Sequence, residues 1–423
     1  MSITSTPTAS PLQMVKAMLT KQRVMDYGAL LGGQVGRLAF SMVYFVVLAR
    51  TLSLADFGLF ATASSIGVVL SRVCGFGFIS PLYRIATIKP ALVGAYTGGL
   101  IVATLASLPL VALIGWAIHA GLYTGLLALS TFALIVAAEV LVWRTLEAAI
   151  IVNHGLNRYR TGSFLAIGGV AAKTAGAVAF GLYGSGSIDQ WAVIYIGALG
   201  LWLLFALAFF YPRQRLRWTP RAWLGRTKDA LGVSAAEALF YLQSEMDKVL
   251  VLALGGEVLA GLYAIVMRLV DLTATPMRAM NTMIVQWIMR ARQAGGDAHP
   301  RWMVDAGIAA MSTAALLALA VLLWLIPDIL GESIASASNL LWLVLLVPAF
   351  RNAIEFHTEL LYAHEAMRER VFLLAGIGAA KAVLLCVIFA YAMDFSTVAL
   401  RLNAAFAAEN PAIRHISRAE VQS

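Results

Sequence analysis

The chain has 423 residues, 61% of them hydrophobic and 13% charged, with a formal net charge of +9. Soluble globular chains carry about 25% charged residues, so a soluble globular protein is excluded. The positive balance points to topology and anionic lipid headgroups rather than to nucleic acid.

A helix that crosses the hydrocarbon core needs roughly 20 mostly apolar residues. Such runs fall near 28–49, 57–80, 91–118, 122–151, 162–184, 190–211, 230–254, 258–288, 303–326, 334–362, 371–393 and, more weakly, 396–409. The last is short and contains Arg401, Asn403 and Glu409, which makes it the least secure crossing. Odd-numbered gaps hold the single cation Arg50 among Asp56, Asp189, Glu257, Asp328, Glu332 and Asp394. The tails and even-numbered gaps hold the rest, from Lys16, Lys21 and Arg23 to Arg414 and Arg418, with the densest group in 212–229. Cationic loops stay in the cytoplasm. Both termini are therefore expected there, in a multi-pass inner-membrane protein.

Residues 1–27 lack the apolar core and small-residue cleavage site of a signal peptide, so the first run is expected to be an uncleaved anchor. Within them, Met14–Met25 could form a short helix on the cytoplasmic face. The expected organisation is a cytoplasmic segment 1–27, a six-helix half 28–211, a basic linker 212–229, a second six-helix half 230–409 and a cytoplasmic tail 410–423. External gaps are too short to build a catalytic domain, so function is expected inside the bundle. Pro109, Pro276 and Pro348 each fall within a run and favour bends.

The halves carry a faint repeat. Residues 48–61 read L-A-R-T-L-S-L-A-D-F-G-L-F-A and residues 252–264 read L-A-L-G-G-E-V-L-A-G-L-Y-A, which places Gly58 and Gly261 in matching positions. Paired halves are a common transporter plan. The first segment resembles the helix one to two passage of polysaccharide flippases of the multidrug/oligosaccharidyl-lipid/polysaccharide exporter superfamily. Residues 241–264, Y-L-Q-S-E-M-D-K-V-L-V-L-A-L-G-G-E-V-L-A-G-L-Y-A, with Arg268-Leu269 beyond them, resemble the helix seven to eight passage of the same polysaccharide/oligosaccharide-lipid flippase family. The resemblance implies an all-α bundle of about twelve helices in two pseudo-symmetric halves around a central cationic cavity. It implies as cargo an undecaprenyl-pyrophosphate-linked oligosaccharide for surface or exopolysaccharide biosynthesis. Membrane lipids, a polysaccharide polymerase and export machinery are the implied partners.

Ionisable groups inside the runs cost at least ~2.5–3.5 kcal/mol each near the bilayer centre. They comprise Arg37, Arg72, Arg144, Lys173, Lys248, Arg268, Arg278, Arg351, Lys381 and Arg401, with Glu139, Glu147, Glu237, Glu245, Asp247, Asp271, Glu355 and Glu359. Arg268, Asp271, Thr275 and Arg278 share one helical stripe, and Ser234, Glu237, Tyr241, Ser244 and Lys248 form another. Such stripes face water or protein. The deeper arginines, Arg37, Arg72, Arg268 and Arg278, are the candidate substrate-binding set, because a guanidinium fork matches phosphate oxygens. Glu237, Glu245 and Asp271 are candidates for ion coupling or cavity lining. The competing reading pairs each arginine with a nearby carboxylate, Arg268 with Asp271 for instance. Arg144, Glu147, Glu355 and Glu359 are expected as interfacial ion pairs, Asp247 and Lys248 as a structural pair, and Lys173, Lys381 and Arg401 as snorkelling or locally paired.

The six histidines form no metal set, Cys74 and Cys386 lie in apolar runs without ligand spacing, and no phosphate loop or nucleophile elbow occurs. No cofactor, metal or enzyme activity is expected. Rival readings are a small-molecule or drug exporter of the same superfamily, and a membrane-embedded polysaccharide polymerase. The exporter of cationic drugs would favour an acidic cavity, and the polymerase would need an external catalytic surface. Reporter fusions at Gly186, Gly255 and Gly331 should read periplasmic and one at Gly225 cytoplasmic; opposite readings at two of the four would overturn the topology.

Overall fold

The fold is seen in a computed structural model that describes residues 21–217, 219–293, 301–326, 339–363 and 367–391. The run near 396–409 with Arg401, the tail 410–423, most of segment 1–27 and the side chain of Arg278 lie outside what is described.

The first half of the chain supplies α1 (Lys21–Thr51), α2 (Leu54–Val73), a 3-10 turn (Cys74–Gly77), α3 (Ile79–Ile88), α4 (Val93–Leu122), α5 (Leu129–Ala137), a π-helical turn (Ala138–Trp143), α6 (Arg144–Gly155), α7 (Tyr159–Tyr183) and α8 (Ile188–Phe210). The second half supplies α9 (Pro220–Leu224), α10 (Thr227–Gln293), α11 (Arg301–Leu325), a 3-10 turn (Asn339–Val344), α12 (Val347–Ala363) and α13 (Met367–Tyr391). Among the described residues seven helical stretches are long and apolar enough to cross a membrane. One of them, α8, leaves Leu201, Leu204 and Phe209 on the surface, and α4 does the same with Leu105, Leu113 and Trp116. Apolar area on that scale is unsustainable in water and natural against lipid. The chain is an all-helical, multi-pass membrane protein.

Three expected runs are divided. The second ends at Val73, because Gly75, Phe76 and Gly77 take left-handed φ values of 69, 49 and 70° and redirect the chain into α3. The fourth is interrupted by the π-helical turn, which no periodicity announced. The tenth starts as a 3-10 turn, so Pro348 sits at the start of α12 rather than bending it. Pro109 does lie inside α4. Runs seven and eight are the two arms of α10, broken at Gly256 (φ 81°, ψ 178°). Tyr263 on the second arm returns to donate to Asp247 Oδ2 on the first at 2.7 Å.

The core of the first half is aromatic. Trp191 of α8, fully buried, packs against Tyr44 of α1, Phe60 of α2, Phe180 of α7 and Tyr195. The seam between halves is formed by α2 lying along α10. Gly58, Ser65 and Arg72, spaced by seven, put one face of α2 on this seam. A Cβ on Gly58 would overlap the carbonyl oxygen of Glu257 and lie 2.6 Å from the amide nitrogen of Gly261. A Cβ on Gly261 would overlap the carbonyl oxygen of Leu54. Leu54 and Glu257 each precede their glycine by four residues, so the contact is reciprocal, as across a two-fold axis. Further along, Ser65 Oγ donates to Glu245 Oε2 at 2.7 Å, Ser234 Oγ donates to the Arg72 carbonyl at 2.7 Å, and a Cβ on Gly77 would meet Ser234 Cβ at 2.9 Å. The seam is closed along its length.

Gly58→Ala and Gly261→Ala should each destabilise the protein by about 1–3 kcal/mol, the usual cost of overpacking a tight contact. Gly197→Ala, where an added Cβ meets nothing within 4 Å, should be neutral or stabilising. Thermal unfolding of the purified variants checks this; equal melting temperatures for all three would overturn the contact.

Candidate functional site

Polar groups inside the bundle gather in three clusters. At the end of the seam near the basic connection, Arg72 and Arg144 are buried, at 5% and 6% exposure. Arg72 Nη1 donates to both Glu147 oxygens at 3.0 Å, and Arg144 Nη1 donates to Glu147 Oε2 at 2.9 Å. Arg144 Nη2 reaches across to Glu237 Oε2 on α10 at 3.0 Å, and Arg72 Nη1 lies 3.8 Å from the same oxygen. The Arg72 guanidinium also sits 4.2 Å from the centroid of the Tyr241 ring. Burying such charges is tolerable only because each finds opposite charge and hydrogen bonds.

The second cluster lies within the first half. The π-helical turn points Glu139 into the aromatic core, where Tyr195 Oη donates to Glu139 Oε1 and Ser64 Oγ does so at 2.9 Å. Lys173 Nζ lies 3.7 Å from Glu139 Oε1 and 4.2 Å from the centroid of Trp143. The third belongs to α10 and its neighbours. Lys248 donates to Glu245 at 2.5 Å, Lys381 of α13 pairs with Asp247 at 2.9 Å, and Arg351 of α12 pairs with Asp271 at 2.9 Å. Between them a pocket is lined by Gln243, Ser244, Arg351, Glu355 and Lys381.

One expected pairing, and one pairing of the competing reading, are therefore corrected. Asp247 partners Lys381, not Lys248, because consecutive helical residues diverge by about 100° and Lys248 is turned to Glu245. Asp271 partners Arg351, which leaves Arg268 to donate to Ser41 of α1. Lys173 and Lys381 are locally paired with internal carboxylates, the second of the two expected alternatives. The sequence also gave no reason to single out Glu139, whose position depends on the π-helical turn.

Of the four candidate binding arginines, Arg72 is committed to the seam network, and Arg278 lies outside the described side chains. Arg37 is exposed. Ser41 follows Arg37 by one helical turn on the same face of α1, so the Arg268–Ser41 bond draws Arg268 to the level of Arg37. Among the described residues, Arg72, Arg144, Lys173, Lys248, Arg351 and Lys381 each have a carboxylate within 4.0 Å, whereas Arg37 and Arg268 have none. Of the candidate coupling carboxylates, Glu237 joins the arginine network, Glu245 bridges Ser65 and Lys248, and Asp271 holds Arg351. Among the described residues no cluster of His, Cys, Asp and Glu could hold a metal ion.

Lys381→Met would strand Asp247, 1% exposed, without its cation and should cost about 3–5 kcal/mol, as removal of one member of a buried pair does. Lys248→Met should cost less, because Glu245 keeps its bond to Ser65. Melting temperatures decide the order, and a larger loss for Lys248→Met would restore the adjacent pairing.

No family model and no curated protein matches the chain. Solved structures do resemble it. An inward-facing multidrug resistance MATE family transporter of the MOP superfamily superposes with a TM-score of 0.57 at 12% identity, covering 92% of this chain and 99% of that one. An outward-facing multidrug resistance MATE family transporter of the MOP superfamily gives 0.56 at 13% identity, covering 92% and 95%. A MOP superfamily transporter from Pyrococcus furiosus, described for the reverse polarity of its binding pocket, gives 0.56 at 13% identity, covering 93% and 96%. At these identities the likeness is one of architecture: over nearly its whole length, the chain has the fold of MOP superfamily transporters.

Proposed function

We propose that this protein is a MOP superfamily flippase that moves an anionic, lipid-linked oligosaccharide across a bacterial inner membrane by alternating access. The undecaprenyl-pyrophosphate-linked repeat unit of a surface or exopolysaccharide is the proposed cargo, with both protein termini and the basic linker in the cytoplasm. The observation that carries the reading is that Arg37 of α1 and Arg268 of α10, the latter bonded to Ser41 one turn from Arg37, have no carboxylate within 4.0 Å among the described residues. An uncompensated cation within a membrane bundle is a recognition element by default. A planar guanidinium pair suits the oxygens of a pyrophosphate, whose isoprenoid tail remains in lipid. Similarity to both inward-facing and outward-facing transporters supports rocking of the halves about the seam.

The second reading is export of small molecules, favoured by the multidrug transporters among the structural neighbours. Charge separates the two, because a cationic drug is repelled where an anionic headgroup is held.

In a strain lacking the gene, Arg37→Ala and Arg268→Ala at normal abundance should reduce polymer export by more than tenfold, equivalent to the ~2–5 kcal/mol of a truncated charge contact. Lysine replacements should be intermediate, since they keep charge but lose the fork. Full export by both alanine variants, or dye efflux by the wild type with no polymer defect in the deletion strain, would overturn the proposal.

A further inference from the structure

We infer that Glu237 is a built-in substitute for the cargo's phosphate: it occupies, from the second half, an Arg72–Arg144 anion site on the first half. That site takes a phosphate or pyrophosphate group when the halves part at the basic end. The inference rests on the flippase reading for its alternating access, but it uses groups distinct from Arg37 and Arg268.

The charge balance is the starting point. Arg72, Arg144 and Glu147 all belong to the first half, and together they carry one surplus positive charge. Among the described residues, the second half neutralises that surplus with Glu237 alone, at 3.0 Å from Arg144 and 3.8 Å from Arg72. When α10 moves away, the two arginines keep only Glu147, and a buried surplus cation is costly until an anion replaces the lost one.

The donor geometry shows unused capacity. Nε of Arg72 and Nε of Arg144 are both buried and have no hydrogen-bond partner. A buried donor left unbonded costs about 1–3 kcal/mol. Two guanidinium groups with an unused donor each are underfilled by carboxylates, whereas a phosphate offers more acceptor oxygens.

The position of Glu237 fits a replaceable member. Its side chain is 39% exposed, against 6% and 7% for the arginines it contacts, so it stands at the exposed edge of the network. Tyr241, beneath Arg72, follows Glu237 by one turn on the same face of α10. One displacement of that arm removes both contacts together and opens the site to the cytoplasm. Reclosure brings Glu237 back into competition with the bound anion and ejects it toward Arg37 and Arg268, which gives the movement of the headgroup a direction.

The test uses the full-length protein in lipid nanodiscs with inorganic pyrophosphate as the probe, read by titration calorimetry. Glu237→Gln, which keeps the shape but removes the competing charge, should bind pyrophosphate at least about tenfold more tightly than wild type, within the range of ordinary coupling energies. Glu237→Asp, whose shorter arm reaches the arginines less well, should fall between and serves if the glutamine variant is unstable. Adding Arg144→Gln to Glu237→Gln should abolish the gain. If both Glu237 variants bind with wild-type affinity while Arg37→Ala weakens binding, this inference is wrong and the flippase reading stands. If no form of the protein binds pyrophosphate, both fall.

Discussion

The meeting of two backbones at Gly58 and Gly261 sets the terms for everything else in the bundle. Each glycine lies where a methyl group would strike the carbonyl four residues before the other, and this fixes both the depth and the register of α2 on α10. Small residues let membrane helices approach closely, and packing supplies what the hydrophobic effect cannot between helices already in lipid. Once that register is set, Ser65 falls opposite Glu245 and Arg72 opposite Glu237 without further adjustment. Van der Waals contact at one end thus determines which ions meet at the other.

The interior charges divide by what surrounds them. Lys381 with Asp247 and Lys173 with Glu139 are enclosed within one half each, and they stiffen it. Arg144 with Glu237 spans the seam and ties one half to the other. Arg37 and Arg268 stand apart from both arrangements. A bundle that placed such groups only for stability would do better with apolar side chains.

Much of this was legible in the chain. Apolar runs and loop charge defined the helices; the Gly-Leu-aromatic-Ala repeat marked Gly58 and Gly261 before any contact was visible. The polar stripes of runs seven and eight identified Glu237, Arg268 and Asp271 as inward-facing. Pairing was not legible. Asp247 and Lys248 are neighbours in sequence, yet helical geometry turns them apart, and Lys381, Asp247's partner, lies on α13. The early end of α2 was missed because apolarity continues through Cys74–Gly77 while left-handed backbone, admitted by its glycines, changes direction. Hydropathy records which residues avoid water, and it is silent on which way the chain is heading.

The π-helical turn at Ala138–Trp143 has a bearing on how this protein can change over generations. It takes up one residue more than an ordinary helical turn would, and it lets Glu139 look into the aromatic core while Arg144, five positions on, looks toward α10. Loss of a single codon within it would regularise the helix and swing everything beyond by about 100°. Hydropathy and length would scarcely alter, but Arg144 and Glu147 would leave the seam together. In this region an indel is therefore a larger event than almost any point substitution, and natural variants should tolerate exchange of the apolar side chains there far more readily than a change in their number.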